Sequence, residues 1–186
     1  MVGLVALNQT KKISVIVMMT AACIGSNYAM LGVLNVKFMD VLVFITGLAF
    51  GSSMGMSVGL LSWAIYGLIN PYGVVLPILV ATATMESVYG LVGGLLGRQE
   101  GKIIHSNPIV AGVQYAIVGL VLTLTYDLVT NVVFAVVFGI NLSIALIGGI
   151  PFTLVHTISN VGLFFVGVLP AIKGIRHLIP ELNVNV

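Results

Sequence analysis

The feature that most constrains the fold is a long apolar run, residues 108–138, in which Asp127 is the only charged side chain. A helix needs roughly 20 apolar residues to cross the hydrocarbon core of a bilayer, and this run is longer. The chain as a whole is similar, with 6% charged and 59% hydrophobic residues, whereas a typical soluble domain has about 25% charged residues. We therefore predict an integral protein of the cell membrane with several passes.

Polar and turn residues divide the chain into six apolar segments, which we interpret as helices of a single membrane domain, 1–186. Turn signals lie at 51–55 and 70–73. The fifth segment is long enough to tilt, to break near Tyr126 or to project one end into the interface, and the sixth starts either near Asn141 or at Pro151. The predicted helices are approximately 13–34, 38–50, 56–69, 74–96, 108–138 and 143–170.

Basic residues predict the orientation of these helices, because cytoplasmic loops near the ends of spans collect Lys and Arg. With six spans and the N-terminus inside, Lys37 is the only basic residue placed outside. The predicted fold is an all-α, compact bundle of six transmembrane helices with cytoplasmic N- and C-termini. The loops at 35–37, 70–73 and 139–142 then face outward. The basic residues predicted on the cytoplasmic side are Lys11, Lys12, Arg98, Lys102, Lys173 and Arg176.

Residues 51–55, Gly-Ser-Ser-Met-Gly, match the G-x-S-x-G pattern of a hydrolase nucleophile elbow. That pattern requires a strand before the serine and a histidine within reach. Ser53 instead falls on a predicted cytoplasmic turn between two helices, and His156 enters from the opposite side of the bilayer. We therefore predict that the protein is not an enzyme and that these small residues let two helices pack closely.

Several other classes of site are also excluded by the sequence. The net charge of +2 is too small and too scattered to indicate nucleic-acid binding. Cys23 is the single cysteine, so an internal disulfide and a cysteine-based metal site are excluded. No spacing is diagnostic of metal ligands and no phosphate-binding loop is present. We therefore expect no cofactor and no metal, and any uphill movement of a solute must draw its energy from elsewhere.

The candidate functional residues are the polar ones inside the apolar segments, because ionisable groups at membrane depth are costly and usually mark a substrate path or a partner. Several share a helical face at i, i+3 or i+4 spacing, and most fall toward the predicted outer side. They indicate a cavity that opens outward, with aromatic walls and hydrogen-bonding groups. The candidate substrate-binding residues are Trp63, Tyr66, Asn70, Tyr72, Glu86, Asp127, Asn131, His156 and Asn160.

Each of these candidates also has a structural interpretation. Asp127 and Asn131 could cap a broken helix, and His156 and Asn160 could hydrogen-bond to a neighbouring helix. The aromatic residues could form an interfacial belt. Glu86 could carry a proton, contact a ligand or join the network of Asp127.

The first segment carries a stripe of small residues, in which Ala21, Gly25 and Ala29 recur every four residues. Such a stripe lets two helices approach closely without a side-chain barrier. The surface serves either internal packing, which is the commoner use, or docking of another membrane subunit.

Together these features resemble the substrate-binding S component of an energy-coupling factor (ECF) transporter. The resemblance rests on the chain length, the six predicted spans with both ends inside, the stripe on the first helix, and three segments. It covers nearly the whole chain, with Gly25 as a departure at the middle of the stripe, where the family has Ala. The segments are NVKFMDVLVFITGLAFGSSMGMSVG, YDLVTN and PFTLVHTISN.

The resemblance implies a high-affinity substrate-capture subunit of an ECF-type ABC importer for a vitamin or related micronutrient. Such a subunit lies in the membrane lipid and docks through Ala21, Gly25 and Ala29 onto a transmembrane T subunit powered by two cytoplasmic ATPases. The family's pocket is formed by the outer ends of helices 4 to 6 and by the loops after helices 1, 3 and 5.

The alternative from another class is a self-sufficient, small proton-coupled secondary transporter that uses Glu86 or Asp127. Such carriers usually show inverted repeats and broken helices in matching halves, and these are not evident in the sequence. A purely structural subunit of a membrane complex would leave the outward polar residues unexplained.

Overall fold

A computed structural model describes residues 7–33, 35–71, 73–99 and 107–179, and this part of the chain forms six α-helices and no β-strand. Five of the helices are long and apolar enough to cross a membrane. An all-helical chain of this kind is compatible with a multi-pass membrane protein. The helices are α1 (Gln9–Ala29), α2 (Met39–Phe50), α3 (Ser52–Ile69), α4 (Leu76–Gly97), α5 (Pro108–Phe138) and α6 (Leu142–Leu178).

Helix α2 is the exception in length. Its 12 residues span about 18 Å at 1.5 Å per residue, little more than half of the roughly 30 Å hydrocarbon core. Its first residues, Met39 and Asp40, are fully buried, so the chain enters the bundle before α2 begins. From the sequence we predicted six spans, of which the second, 38–50, was already short; the structure has five helices of crossing length and, in α2, one of about half that length.

The turn between α2 and α3 is shorter than the sequence suggested. Gly51 alone separates the two helices, with φ 98°, a backbone conformation that favours glycine. Helix α3 therefore begins at Ser52 rather than near residue 56. Helix α1 ends at Ala29, whereas the sequence predicted an end near residue 34.

The two C-terminal helices are longer than one crossing requires. Helix α5 continues through Tyr126 without a break to Phe138. The next residue, Gly139, caps the helix in a left-handed conformation with φ 63°. Asn141 caps α6, and its Oδ1 accepts a hydrogen bond from the Ser143 amide at 2.9 Å. Helix α6 then continues through both Pro151 and Pro170 to Leu178. The sequence predicted that it would end near Pro170.

Helices α2, α3 and α4 meet with no side chains between them, at Gly47, Gly55, Gly90 and Gly94, which we call the glycine junction. A Cβ atom added at Gly55 would lie 2.7 Å from the Cα atoms of Gly47 and Gly90. A Cβ atom added at any of the other three would overlap backbone atoms of a neighbouring helix. The three backbones therefore touch, and only glycine fits at the contact.

Contacts between helix ends define two ends of the bundle. Tyr28 donates a hydrogen bond to the Ile69 carbonyl at 2.8 Å, so the C-terminal ends of α1 and α3 lie together. Gly94 contacts Ser52, so the end of α4 lies beside the start of α3, at the opposite end. The basic residues of the described helix ends, Lys11, Lys12, Arg98, Lys173 and Arg176, lie at this opposite end, which we call the basic end. Lys102 lies outside the described residues.

Candidate binding site

Buried polar side chains of α2, α5 and α6 form one connected group. His156 contacts two carboxylates, with 2.6 Å from Nε2 to Asp40 Oδ2 and 3.0 Å from Nδ1 to Asp127 Oδ1. Asn160 donates through Nδ2 to Asp40 Oδ2 at 2.6 Å and to Thr123 Oγ1 at 2.8 Å. None of these five residues is more than 6% exposed. We call them the polar cluster.

The geometry around His156 restricts the charge of the polar cluster. An ionised carboxylate only accepts hydrogen bonds, so the ring donates from both nitrogens as an imidazolium, or else one carboxyl group carries the second proton. In both cases His156, Asp40 and Asp127 together carry one net negative charge. A buried charge of this kind is costly unless a cation lies close to it.

Lys37 supplies a nearby cation. Its ammonium lies 4.7 Å from the ring centroid of Tyr126 and 5.6 Å from that of Trp63, within the range of a cation–π contact. It also interacts electrostatically with Asp40. Tyr126 in turn packs edge-on against His156, with ring centroids 5.7 Å apart. Lys37 therefore offsets the negative charge of the polar cluster from the side of the Trp63 and Tyr126 rings.

Glu86 is a further buried acid, at the middle of α4. Its Oε2 accepts a hydrogen bond from Trp63 Nε1 at 3.1 Å, and its carboxyl group also interacts with Asp40 and Lys37. Its contact with Asp40 is a hydrogen bond between the two carboxyl groups, which requires a proton on one of them, and no basic nitrogen of the described residues lies within 4.0 Å of the Glu86 carboxyl group. Glu86 therefore has no direct counter-ion within the described part of the chain.

A cavity of about 330 Å³ opens between the end of α1, the chain at 35–37, the end of α3 and the start of α4. Its aromatic wall is built by Trp63 and Tyr66, which pack edge-to-face at 5.6 Å. Trp63 and Lys37 both line the cavity. Trp63 hydrogen-bonds to Glu86, and Lys37 lies over the ring of Tyr126, which packs on His156, so these two residues connect the cavity to the polar cluster. The other polar residues of the wall are Asn27, Asn35, Asn70 and Thr82.

No protein-family model, curated protein or solved structure matches this chain. What the site can do follows from its own residues. Among the described residues, no group of three or more His, Cys, Asp or Glu side chains is arranged to hold a metal ion. The site instead combines aromatic walls, amide groups and acids, which suits an organic molecule.

The structure divides the predicted site residues into two groups. Trp63, Tyr66 and Asn70 line the cavity, whereas Tyr72 lies outside the described residues. Asp127, His156 and Asn160 lie in the polar cluster, with Glu86 beside it, and none of these four lines the cavity directly. The cavity is therefore built by α1, α3, α4 and the adjoining loops. The family resemblance implied that the ends of the last two helices also form the pocket, and they do not line this cavity.

Asn131 lies apart from both groups. Its Nδ2 donates to the backbone carbonyl of Asp127 at 2.7 Å, and its Oδ1 would lie 2.6 Å from a Cβ atom added at Gly149. Its side chain therefore fills the contact between α5 and α6.

Several residues of the site were missed from the sequence. Asp40 was within reach of sequence reasoning, because it is an acid inside the apolar segment 38–50. Lys37 was assigned to an outer loop, and its contact with the rings depends on how the chain enters the bundle. Thr123 and Tyr126 carry no sequence signal. Tyr89 extends the network, since its hydroxyl donates to Thr123 Oγ1 at 3.0 Å.

The small-residue stripe of α1 faces away from the rest of the chain. Ala21, Gly25 and Ala29 are all exposed, and a Cβ atom added at Gly25 would meet nothing within 4 Å. The stripe therefore does not serve packing against the described helices of this chain. Ser53 is exposed in the first turn of α3 and follows a helix rather than the strand that a nucleophile elbow requires.

Proposed function

We propose that the protein is the membrane-embedded substrate-capture subunit of an ECF-type importer for a vitamin or related micronutrient. The observation that carries this proposal is the cavity at the end of the bundle opposite the basic end, with an aromatic wall that adjoins buried hydrogen-bonding groups. A ligand of drug size is typically held in a pocket with mostly apolar walls and a few placed polar groups.

The charge distribution supports an outward-facing cavity. Five of the six described Lys and Arg residues lie at the basic end, and Lys37 beside the cavity is the exception; basic residues flanking spans are most frequent on the cytoplasmic side. With the basic end in the cytoplasm, the cavity faces outward. A capture subunit needs this orientation.

The exposed stripe of α1 supports docking onto a second membrane subunit. Small residues on a lipid-facing surface permit close helix approach, and Gly25 has open space in front of it. We propose that Ala21, Gly25 and Ala29 contact a transmembrane T subunit, which two cytoplasmic ATPases drive.

One observation favours the second candidate, a proton-coupled secondary transporter. The chain Asp127–His156–Asp40 crosses three helices inside the bundle, and buried carboxylate–histidine chains relay protons in pumps and transporters. Such a carrier would need no partner subunit.

Uptake measurements separate the two functions. The ligand that copurifies with the chain is identified by mass spectrometry, and its uptake is measured in cells that express the chain alone or with a T subunit and two ATPases. We expect ligand binding by the chain alone and uptake only with the partners. Uptake by the chain alone in liposomes with an imposed pH gradient would establish the secondary transporter instead.

A further inference from the structure

We infer that the cargo carries a carboxylate and that the ammonium of Lys37 is the group that pairs with it. This inference rests on the capture function proposed above and adds the chemical class of the cargo to it.

Lys37 is the charge that the cavity offers to a ligand. Among the described residues of the cavity wall, no other side chain is charged at neutral pH. Lysine is usually exposed to water, whereas Lys37 is half-buried. Lys and Arg are also less frequent in outer than in cytoplasmic loops, and Lys37 is the one described basic residue outside the basic end. Its place in the wall is unusual on both counts, and contact with a ligand accounts for it.

The ammonium has hydrogen-bonding capacity left for that ligand. It carries three N–H donors, yet Lys37 makes no hydrogen bond to a described residue, and no carboxylate among them lies within 4.0 Å of its Nζ. Its close contacts are the ring faces of Trp63 and Tyr126, which attract a cation without supplying a carbonyl or carboxylate oxygen. Oxygen atoms of the cargo can therefore bond to these donors.

The buried acids do not exclude an anionic cargo. Asp40, Asp127 and Glu86 all lie outside the cavity wall, so a ligand on the cavity side touches the ammonium and not the acids. Because Asp40 and Glu86 share a proton and His156 contacts both aspartates, the four groups together carry one net negative charge. Coulomb energy falls with distance, so attraction at a contact of about 2.8 Å exceeds repulsion from this more distant charge.

A single ammonium suits a carboxylate better than a phosphate. A phosphate group carries a charge of about −1.5 to −2 at pH 7, and Lys37 is the only Lys or Arg among the described residues of the wall. A carboxylate carries one charge, which one ammonium balances. The cavity of about 330 Å³ is near the lower limit for ligand pockets, and its aromatic wall favours a ring. The cargo is therefore a small organic acid with a ring.

The inference is tested with three ring probes of similar size and different charge. Benzoate, benzyl alcohol and benzylammonium are titrated against the purified full chain in detergent. Binding is followed by the fluorescence of Trp63, which lines the cavity and is the single tryptophan of the chain. We expect benzoate to bind about tenfold more tightly than benzyl alcohol, because it alone forms a charge-assisted hydrogen bond with the ammonium. Benzylammonium should bind most weakly.

The same substitution at two lysines separates the ammonium of the cavity from the charge of the chain. Lys37→Met should reduce the affinity for benzoate about tenfold, to that for benzyl alcohol. The affinity for benzyl alcohol should change less than about threefold, which reports that the cavity is intact. Lys173→Met is the matched control, because Lys173 is exposed at the basic end. It should leave all three affinities unchanged.

Several results overturn the inference. They are equal responses of the native chain to the three probes, including none, and an unchanged preference for benzoate in Lys37→Met. Loss of all three probes together in a folded Lys37→Met chain would assign Lys37 to the support of the polar cluster instead. If Lys37→Met does not fold, the preference of the native chain and the charge of the copurified ligand decide.

The copurified ligand also separates this inference from the capture function. A ligand without a carboxylate overturns the inference and leaves the capture function intact. Uptake by the chain alone instead overturns the capture function, whatever the charge of the ligand.

Discussion

The glycine junction and the polar cluster use the same helix, α2, in opposite ways. At the junction, backbone atoms of three helices touch, and no space remains for a methyl group. In the polar cluster, Oδ2 of Asp127 and Oδ1 of Asn160 are buried without hydrogen-bond partners among the described residues. The first region is complete by itself, whereas the second has unused hydrogen-bonding capacity. Changes at the junction should therefore affect folding, and changes at the cluster should affect binding as well.

The largest expected effect is at the glycine junction. Gly90→Leu places a side chain into the backbone of α3, and overpacking of a rigid contact is destabilising. We expect no monodisperse protein on size-exclusion chromatography. Gly25→Leu is the matched control, because the same side chain enters open space there. It should leave the thermal unfolding midpoint unchanged and abolish assembly with a T subunit. A folded Gly90→Leu protein would show that the junction can separate.

A smaller loss of stability is expected at the centre of the polar cluster. His156→Ala removes the group that links Asp40 and Asp127, so each of these two buried carboxylates loses its contact with the imidazole. Breaking a buried ion pair costs about 3 to 5 kcal/mol. Thermal unfolding in detergent measures this loss. An unchanged midpoint would mean that water or a proton replaces the imidazole at no cost.

The smallest expected effects distinguish two asparagines. The sequence placed Asn131 and Asn160 together among the candidate substrate-binding residues. The structure separates them, because Asn160 is in the polar cluster and Asn131 lies between α5 and α6. Asn160 does not line the cavity, but it holds Asp40, which interacts with the cavity residue Lys37. Loss of a buried hydrogen-bond partner costs about 1 to 3 kcal/mol, so Asn160→Ala should destabilise the polar cluster by that amount and, through Lys37, weaken binding of the copurified ligand about tenfold.

Calorimetry with that ligand should show less than about a threefold change for Asn131→Ala, since an effect this small corresponds to under 1 kcal/mol. Ser53→Ala, far from the cavity, should change nothing. Equal losses in Asn131→Ala and Asn160→Ala would place the ligand between α5 and α6 instead of in the cavity.

The sequence predicted the helices better than their contacts. Apolar runs bounded by polar residues predicted all six helices, because a helix that lies in a membrane needs such a run. Their ends were less certain, since a single residue, Gly51, can reverse the chain and a helix can continue through Pro151 and Pro170. Proline inside a helix is tolerated where neighbouring helices satisfy the freed carbonyl groups.

The candidate site was predicted in part for a related reason. Burial of ionisable groups is costly at any depth, so Glu86, Asp127 and His156 could be singled out from their position in apolar segments. Their partners could not, because pairing depends on which helices are neighbours and at what depth. Asp40 meets His156 only because α2 is short and begins inside the bundle. The small-residue stripe of α1 and the glycines of α4 look alike in sequence, yet one is exposed and the other is buried.

The position of Glu86 at the middle of α4 has an electrical consequence. A unit charge that crosses the whole membrane exchanges about 2.3 kcal/mol with a potential of 100 mV. A cation that travels from outside to a group halfway along a spanning helix crosses about half of that potential. An interior-negative voltage of 100 mV would then favour its binding by about 1.2 kcal/mol, roughly a sevenfold gain in affinity. Protonation of Glu86 would therefore depend on the membrane voltage as well as on pH.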